Sequence, residues 1–427
     1  MKKILLTPPL KLSENIVIDL PLSKSIANRM LILNYLSGQR VHIPIPDSND
    51  SLLMKELIDK LPAYRLNSSQ DQELSKIEIF SAEDAGTVFR FLSALFSIIP
   101  GRRIITGSER MKRRPCGPLI QSLQNLGAKC LYTESDGYPP VLFEGVDLNG
   151  GEVEIDPTIS SQFISALMMI APEMKNGLRI SWLGSVVSYP YIKMTASLME
   201  KCGICIELTD SWVKINSGGY SVDSISEPDW SAASYWFALT SLLSEDNYLH
   251  SGFLLKGLSI DSIQGDRVLV EIYSRLGVKS ERESGGLRIR KYKPAETDLK
   301  FDLRDFPDLA PALAVSCAAL QLNAEITGLE TLKIKESNRL LTIKTELVKQ
   351  GYNCEIEGAE TLRFIPGKII TSDANIETHN DHRIAMAMSL LTLKNGPLII
   401  NDPDVVNKSY PQFWNDFKTV GFKVSTI

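Results

Sequence analysis

The sequence predicts an α/β protein built from repeated units. The main observation is a pattern of a helix end, a glycine and a short alternating strand, as in LMEKCGICIEL and LVKQGYNCEI. A degenerate earlier copy, LIDKLPAYRL, has Pro62 in place of the glycine. The complete copies are 70 to 76 residues apart, with their glycines at Gly127, Gly203, Gly277, Gly351 and Gly421.

Six units of about 70 residues would nearly fill the 427-residue chain. A unit of this length holds several strands and a couple of helices, so it is a supersecondary module and not a solenoid repeat. Modules that alternate strands and helices predict helices packed on sheets. Six such modules are many for a single core, and we therefore expect two lobes of three units each.

Composition and charge argue against several classes of protein. A hydrophobic fraction of 44% and a charged fraction of 23% are ordinary for globular domains. The net charge of −5 gives no support for general nucleic-acid binding. No apolar run reaches transmembrane length, and MKKILLTPPL lacks the features of a signal peptide. We therefore expect a cytoplasmic protein with neither a membrane nor a nucleic acid as its partner.

The six cysteines are scattered, which indicates a reducing compartment and not a disulfide framework. Cys202 and Cys205 form one CxxC pair, but there is no second pair, and the four histidines have no matching spacing. We interpret this pair as structural, at the junction of two repeats, and expect no metal site.

Polar and basic residues collect at the starts of predicted helices. In SKSIANR, Ser25 and Arg29 are four residues apart and so lie on one helix face. The apolar stripe that follows them, Ile26, Met30 and Leu33, is expected to face a core. Free backbone N–H groups, the positive end of a helix dipole and fixed cations together favour an anionic ligand.

Similar starts occur in DAGTVFRFL, where Asp84 is the expected cap, and in SSQFISALMM, VSYPYIKM, KESNRLLTI and NDHRIAMAM. Equivalent modules would point several of these N-termini towards one anion site. Taken singly, each start is also explained by ordinary capping and solvated charge. The basic segment RRIITGSERMKRRP is interpreted as a mostly solvated loop, from which one or two arginines reach a cleft.

Taken in order, these segments resemble the 5-enolpyruvylshikimate-3-phosphate synthases of the enolpyruvyl transferase family. PLSKSIANR is similar to the family's phosphate-binding PGSKS segment, and DAGTVFRFL to its NAGTAMRPL segment. Ordered matches from about Leu20 to Pro411 make the resemblance specific, although each alone would be weak. The further matching segments are RMKRRPCGPL, SSQF, VSYPYI, DSIQGD, FPDLAPALA, IKESNRL, NDHRIAMAM and NKSYPQFW.

The resemblance implies an α/β fold of two similar lobes, each of three βαβαββ units in an inside-out α/β barrel, with the active site in the cleft between the lobes. We place the chain crossings near Leu20 and Pro228. Residues 1–19 and 228–427 would then form a discontinuous lobe, and residues 20–227 the second lobe. The family implies a monomer that needs no metal or organic cofactor and whose partners are small-molecule substrates.

The family moves the enolpyruvyl group of phosphoenolpyruvate to the 5-hydroxyl of shikimate 3-phosphate and releases phosphate, on the route to chorismate and the aromatic amino acids. The reaction proceeds by addition and elimination through a tetrahedral intermediate. By the resemblance, Asp308 matches the base that takes the hydroxyl proton, and Glu336 matches the acid that protonates the methylene carbon. The remaining catalytic matches are Lys24, Lys408 and His382.

Substrate-binding residues are carried over in the same way. Ligands of shikimate 3-phosphate are expected at Lys24, Ser25, Arg29, Ser160, Ser161, Gln162, Ser188, Tyr191, Asp308 and Lys335. Ligands of phosphoenolpyruvate are expected at Lys24, Gly86, Arg114, Gln162, Arg339, Arg383 and Lys408.

Four positions depart from the family's pattern. Leu22 replaces a glycine, Asp84 an asparagine and Phe91 a proline. Thr331 stands where an asparagine usually binds shikimate 3-phosphate. The main set of charges is intact, but substrate affinity and sensitivity to glyphosate are left open.

Two alternative functions are considered. UDP-N-acetylglucosamine enolpyruvyl transferases share the fold and the donor, but they usually carry a loop cysteine at the position that Glu109 occupies here. An inactive relative that only binds shikimate 3-phosphate would be expected to lack Asp308, Glu336 or Lys24, and all three are present.

Overall fold

The computed structural model describes residues 2–10, 16–64, 76–156, 160–184, 186–243, 252–367 and 374–427. The chain divides into two units, one of Met1–Ser23 with Glu227–Ile427 and the other of Lys24–Ser226. In the described ranges, helices are too short or too polar for any of them to cross a lipid bilayer.

The chain begins with two strands of the first unit and two helices of the second. These are β1 (Lys3–Thr7), β2 (Val17–Ile18), α1 (Lys24–Ser37) and α2 (Asn49–Asp59). On α1, the predicted stripe of Ile26, Met30 and Leu33 is buried, which confirms the predicted helix face. Helix α2 ends shortly before Pro62, and the last two residues of LIDKLPAYRL lie outside the described ranges.

Two complete modules follow in the second unit, and each runs strand, helix, strand, helix, strand, strand. One contains β3 (Ile77–Ser81), α3 (Gly86–Phe96), β4 (Gly101–Thr106), α4 (Gly117–Asn125), β5 (Lys129–Tyr132) and β6 (Val141–Gly145). The other contains β7 (Gly151–Glu154), α5 (Ser161–Ile170), β8 (Leu178–Ser181), α6 (Tyr189–Lys201), β9 (Ile206–Leu208) and β10 (Trp212–Ile215). Their four-stranded sheets have the orders β3-β4-β6-β5 and β7-β8-β10-β9. In each sheet the first pair is parallel and the other pairs are antiparallel.

The rest of the chain lies in the first unit. Its first stretch contains α7 (Trp230–Ser241), β11 (Phe253–Lys256), α8 (Leu269–Arg275), β12 (Val278–Glu283) and β13 (Gly286–Lys291). The next contains β14 (Leu299–Asp302), α9 (Ala310–Ala319), β15 (Ala324–Thr327), α10 (Arg339–Lys349), β16 (Cys354–Glu357) and β17 (Thr361–Phe364). The last contains β18 (Asn375–Ile376), α11 (His382–Ser389), α12 (Thr392–Asn395), β19 (Leu398–Asn401), α13 (Phe413–Thr419) and β20 (Lys423–Thr426).

The two N-terminal strands complete two sheets of the first unit. Strand β2 pairs parallel with β11 in the sheet β12-β13-β11-β2, and β1 lies between β19 and β20 in the sheet β18-β19-β1-β20. The third sheet has the order β14-β15-β17-β16. Where the chain leaves and re-enters this unit, Ser23 N donates to Glu227 O at 2.8 Å and Asp229 N donates to Pro21 O at 2.9 Å. All three sheets therefore repeat the arrangement of the second unit, with the N-terminus supplying the missing strands.

Each complete copy of the predicted repeat lies where a helix ends and the next strand begins. Residues Gly127, Gly203, Gly277, Gly351 and Gly421 follow α4, α6, α8, α10 and α13, and all five have positive φ. At Gly277 a Cβ would also meet the Lys293 carbonyl oxygen at 2.0 Å. Glycine adopts left-handed φ without the steric cost of a Cβ, so it marks the point where each helix turns into the next strand. The predicted repeat is confirmed.

The interpretation of RRIITGSERMKRRP as a solvated loop is wrong for its first part. Arg102 and Arg103 lie in β4, and the Arg103 side chain is buried. Its guanidinium donates to Ile99 O at 2.9 Å and to Pro100 O at 3.0 Å, in the turn between α3 and β4. Arg103 is therefore occupied by a structural contact that the charge pattern alone did not reveal.

Candidate active site

In the first unit, Asp308 is the centre of a cluster of cations. It lies in the one-turn 3-10 segment Pro307–Leu309 that leads into α9. One carboxylate oxygen is 3.1 Å from Arg339 Nη1 and 3.5 Å from Lys335 Nζ, and the other is 2.9 Å from Arg383 Nη2. Arg383 Nη1 also donates to the Asp308 carbonyl oxygen at 3.3 Å. Four residues predicted as site residues therefore lie together.

The second anchor of this cluster is Asp381, which was not among the predicted site residues. It accepts from Arg339 Nε at 2.9 Å, from Arg339 Nη2 at 3.2 Å and from Ser337 Oγ at 3.0 Å. It also caps α11 by accepting from Arg383 N at 3.0 Å. Arg339 is 1% exposed and also contacts Glu336 Oε2 through Nη2 at 2.5 Å. The fully buried Asp381 thus fixes the starts of α10 and α11 relative to each other.

The cluster shifts the titration of its members. Burial alone would raise the pKa of the Asp308 carboxyl, but attraction by Arg383, Lys335 and Arg339 outweighs burial and holds this pKa well below its ordinary range. Burial acts against the Arg339 cation, but Asp381, Glu336 and Asp308 raise its pKa. Asp308 is therefore ionised, and Arg339 charged, at neutral pH.

His382 and Lys408 lie at the same end of α11. His382 is the first residue of the helix and is buried. Lys408 ends a 3-10 segment, Pro403–Lys408, that packs against α11. Its Nζ donates to Asn380 O at 3.0 Å and to Asn380 Oδ1 at 3.2 Å. Both predicted residues therefore neighbour the Asp381 and Arg383 start of the helix.

In the second unit, Arg29 forms the core of another polar cluster. Its Nε donates to Thr195 Oγ1 at 2.7 Å, its Nη2 to Ser165 Oγ at 3.2 Å and its Nη1 to Ser25 O at 2.9 Å. The guanidinium carbon lies 5.2 Å from the centre of the Phe91 ring. Burial lowers the pKa of Arg29 to about 10, so the side chain is still a cation at neutral pH. The residue that departs from the family's proline, Phe91, therefore supports this buried arginine.

Helices α3 and α5 meet through Gln162. Its Oε1 accepts from Arg90 Nη1 at 2.9 Å, and its Nε2 donates to Thr87 Oγ1 at 3.1 Å. Ser160 caps α5 by accepting from Gln162 N at 3.3 Å. The buried Ser161 begins the helix. Gln162 therefore has a defined orientation at the start of α5.

Gly86 lies where two arginines converge. A Cβ on Gly86 would be 2.4 Å from Arg90 Nη1, 2.7 Å from Arg114 Nη1 and 2.8 Å from Arg114 Nη2. The backbone of Gly86 is helical, so the close approach of the guanidinium groups, and not φ, requires glycine here. Arg90 was not a predicted site residue, although DAGTVFRFL contains it at helical spacing from Gly86.

Three further predicted residues occupy helix starts of this unit. Lys24 begins α1, and its Nζ is 2.8 Å from Asp50 Oδ2, with each side chain 17% exposed. Ser188 precedes α6 with a left-handed φ of 60°, and Tyr191 lies in the first turn of that helix. Asp50 was missed because its partner is 26 positions away in sequence.

The expectation that Asp84 caps α3 is wrong. The residue before the helix is Ala85, and the Asp84 carboxylate instead accepts a hydrogen bond from Ser108 Oγ. Its carbonyl oxygen accepts from Arg114 Nη1 at 3.5 Å. Ser108, in the loop after β4, competes successfully with the helix for this carboxylate.

Within the described ranges, no group of three or more His, Cys, Asp and Glu side chains is arranged to hold a metal ion.

Comparison with known proteins shows the family of this chain. A family model described as EPSP synthase (3-phosphoshikimate 1-carboxyvinyltransferase) matches residues 7–417. The chain belongs to the EPSP synthase family. A 3-phosphoshikimate 1-carboxyvinyltransferase of Bacteroides fragilis (strain YCH46) is 38% identical over 412 residues, with 95% of each chain covered. One from Haemophilus influenzae (strain Rd) is 33% identical over 448 aligned positions, which cover 99% of this chain and 100% of the relative.

The comparison with solved structures agrees with the predicted fold. EPSP synthase from Acinetobacter baumannii superposes with a TM-score of 0.76 at 19% identity and covers 100% of both chains. The predicted fold class and the predicted family are therefore confirmed. The chain is a transferase of the shikimate pathway, as the ordered motifs predicted.

Two departures from the family's pattern have visible structural settings. Leu22 forms an isolated bridge with Pro228, where the chain leaves and re-enters the first unit. Thr331 is buried in the 3-10 segment Glu330–Ile334, and its hydroxyl has no hydrogen-bond partner in the described part of the chain.

Proposed function

We propose that Asp308 and Glu336 are the base and the acid with which this chain transfers the enolpyruvyl group of phosphoenolpyruvate to the 5-hydroxyl of shikimate 3-phosphate. The observation that supports this assignment is the Asp308 carboxylate among Arg339, Arg383 and Lys335, with Glu336 bound to the same Arg339. Two carboxylates held by one set of cations suit acid–base work on anionic substrates.

The proposed chemistry has two steps. In the addition, Asp308 takes the proton of the 5-hydroxyl while that oxygen bonds to C2 of phosphoenolpyruvate, and Glu336 gives a proton to the C3 methylene. The product is a tetrahedral intermediate with a C3 methyl group. In the elimination, a proton leaves this methyl group towards Glu336 while the bond from C2 to the phosphate oxygen breaks, so the enol ether forms and phosphate departs.

The substrates themselves would activate the base. With its pKa held low by three cations, Asp308 is a weak proton acceptor. Phosphate and carboxylate groups that bind Arg383, Arg339 and Lys335 would neutralise the field that depresses this pKa. The pKa of Asp308 would then rise towards its ordinary value. Proton removal would therefore depend on both substrates being bound, which protects against premature chemistry.

The remaining residues are proposed as ligands that neutralise the substrates' phosphates and carboxylates. Lys24 is proposed to contact both substrates and the departing phosphate. For shikimate 3-phosphate we propose Lys24, Ser25, Arg29, Ser160, Ser161, Gln162, Ser188, Tyr191, Asp308 and Lys335. For phosphoenolpyruvate we propose Lys24, Gly86, Arg114, Gln162, Arg339, Arg383 and Lys408, with His382 beside Glu336.

The convergence of two guanidinium groups on Gly86 supports the second set, because arginine forks bind carboxylate and phosphate bidentately. We further propose that the enzyme is a cytoplasmic monomer acting only on these small molecules.

The test is Asp308→Asn, which keeps the shape of the side chain and removes the base. We expect phosphate release from both substrates to fall by about 10²- to 10⁴-fold, the usual contribution of a positioned general base. Calorimetric binding of shikimate 3-phosphate should not weaken in proportion, because the variant leaves the three cations in place.

The matched control is Asp19→Asn, which removes an exposed carboxylate paired with Lys256 at 2.7 Å in the same unit. It should leave release unchanged. Equal losses of binding and rate in Asp308→Asn would contradict the base assignment. Release that requires UDP-N-acetylglucosamine in place of shikimate 3-phosphate would contradict the proposed acceptor.

A further inference from the structure

The segment DSIQGD, which carries none of the proposed roles, holds the start of α7. Gln264 is buried, and its Nε2 donates to Glu227 Oε2 at 3.0 Å and to Pro228 O at 2.8 Å. Its Oε1 accepts from Trp230 N at 3.1 Å. These contacts fix the entry of the chain into α7 and bring Asp266, two residues later, against the first turn of this helix.

Asp266 is a buried carboxyl with only one satisfied oxygen. The residue is 4% exposed, and one oxygen accepts from Ser231 Oγ in the first turn of α7. The other oxygen is buried and has no hydrogen-bond partner in the part of the chain that the structure describes. A carboxylate would leave a charged oxygen unsolvated there, whereas a protonated carboxyl leaves only a neutral one. The environment therefore favours the neutral form.

Asp266 is close enough to the Asp308 cluster to interact with it. Ser231, which binds Asp266, and Tyr235, on which Arg383 acts, lie four residues apart on one face of α7. Helix α7 packs against both the turn that carries Asp266 and the turn Pro307–Leu309 that carries Asp308. The charged groups that act on Asp266 are Asp308, Asp229 and Arg383. Burial is the largest influence and raises the pKa of Asp266 to about 7, with Asp308 and Asp229 adding to the rise and Ser231 and Arg383 opposing it.

We propose that Asp266 is a positioning residue for Arg383: it is neutral in slightly acidic solution and ionised at alkaline pH, where its charge competes with the anionic substrate for this arginine. Arg383 already contacts Asp308 at 2.9 Å, so a second carboxylate would lower the positive potential that the substrate meets. The inference rests on the proposed role of Arg383 as a phosphoenolpyruvate ligand. Ionised Asp266 would thus weaken substrate binding at alkaline pH without touching the substrate.

The test compares Asp266→Asn with the wild type. The ratio of their kcat/KM values for phosphoenolpyruvate is measured from about pH 6 to about pH 9. Titration of the substrate phosphates affects both enzymes equally and cancels in this ratio. We expect the ratio to rise by about three- to tenfold with increasing pH, because only the wild type acquires the opposing charge.

The control variant is Asp261→Asn, an exposed carboxylate of the same unit that pairs with Arg282 at 2.7 Å. Its ratio to the wild type should be independent of pH. A ratio for Asp266→Asn that is also independent of pH would overturn the inference. Phosphate release by the wild type at the lowest pH of the series tests the proposed function separately. A failure of the proposed function is therefore distinguishable from a failure of this inference.

A second variant keeps the inference testable if Asp266→Asn does not fold. Ser231→Ala removes the hydrogen bond that favours the carboxylate form, so the pKa of Asp266 should rise further. The alkaline fall in kcat/KM should then move to higher pH without a change in its depth. A fall that stays at the wild-type position, in a folded Ser231→Ala variant, would also overturn the inference.

Discussion

Replacing Gly86 with alanine should separate substrate binding from stability. The new Cβ would lie 2.4 Å from Arg90 Nη1 and 2.7 Å from Arg114 Nη1, both well inside van der Waals contact. The atoms in the way are the far ends of flexible side chains, so both guanidinium groups can move while the helix stays intact. The perturbation therefore falls on the proposed anion site and not on the core.

The effect of Gly86→Ala on stability and its effect on substrate binding have opposite signs. At a helical position, alanine is more favourable than glycine by up to about 1 kcal/mol, so the variant should be as stable as the wild type or slightly more so. Displacing guanidinium groups from an anion removes charge-assisted hydrogen bonds worth about 1.5 to 3 kcal/mol. This corresponds to an increase of about 10- to 150-fold in KM for phosphoenolpyruvate.

The assay is phosphate release at saturating shikimate 3-phosphate and varied phosphoenolpyruvate, alongside thermal unfolding followed by circular dichroism. Gly117→Ala is the matched control, because Gly117 also begins a helix of this unit and its Cβ would meet nothing closer than Gly137 Cα at 3.6 Å. The control should leave KM unchanged. An unchanged KM in Gly86→Ala would refute the argument, as would a loss of stability large enough to explain the loss of activity.

Two further predictions follow from single contacts. Asp50→Asn removes the partner of Lys24, and because such a partly exposed pair is worth up to about 1 kcal/mol, shikimate 3-phosphate should bind up to about fivefold more tightly in calorimetry. Weaker binding would contradict the competition between Asp50 and the substrate. Lys291→Met removes a buried ammonium that donates to Ser241 O at 3.0 Å and Leu276 O at 2.8 Å. Burial lowers the pKa of Lys291 from 10.5 to about 8, so between these values the unfolded chain binds a proton that the folded chain does not. The stability that Lys291 contributes should therefore rise with pH across this window. The urea concentration at the unfolding midpoint should then increase with pH more for the wild type than for the variant. A difference between the two urea midpoints that decreases as pH rises would contradict this prediction.

The modular fold could be predicted from sequence because its markers are local. A glycine such as Gly203 or Gly351 ends a helix through its own φ, whatever lies far away in the chain. The buried stripe of α1 could also be predicted from sequence, since side chains three and four residues apart share a helix face. Local rules failed where a distant group competed, as when Ser108 bound Asp84 in place of the expected cap.

The sequence alone contained the charged residues and the family motifs of the candidate site. They were sufficient to predict the family and to propose most of the ligands. Only the tertiary structure decided which acid meets which base. Arg339 contacts Asp381 across 42 positions, Lys24 contacts Asp50 across 26, and Arg29 contacts Thr195 across 166. Such pairs depend on how separate helices pack against one another, which no short-range preference encodes. The same packing buries Asp266 and so sets its proton affinity, because desolvation depends on every neighbour that excludes water.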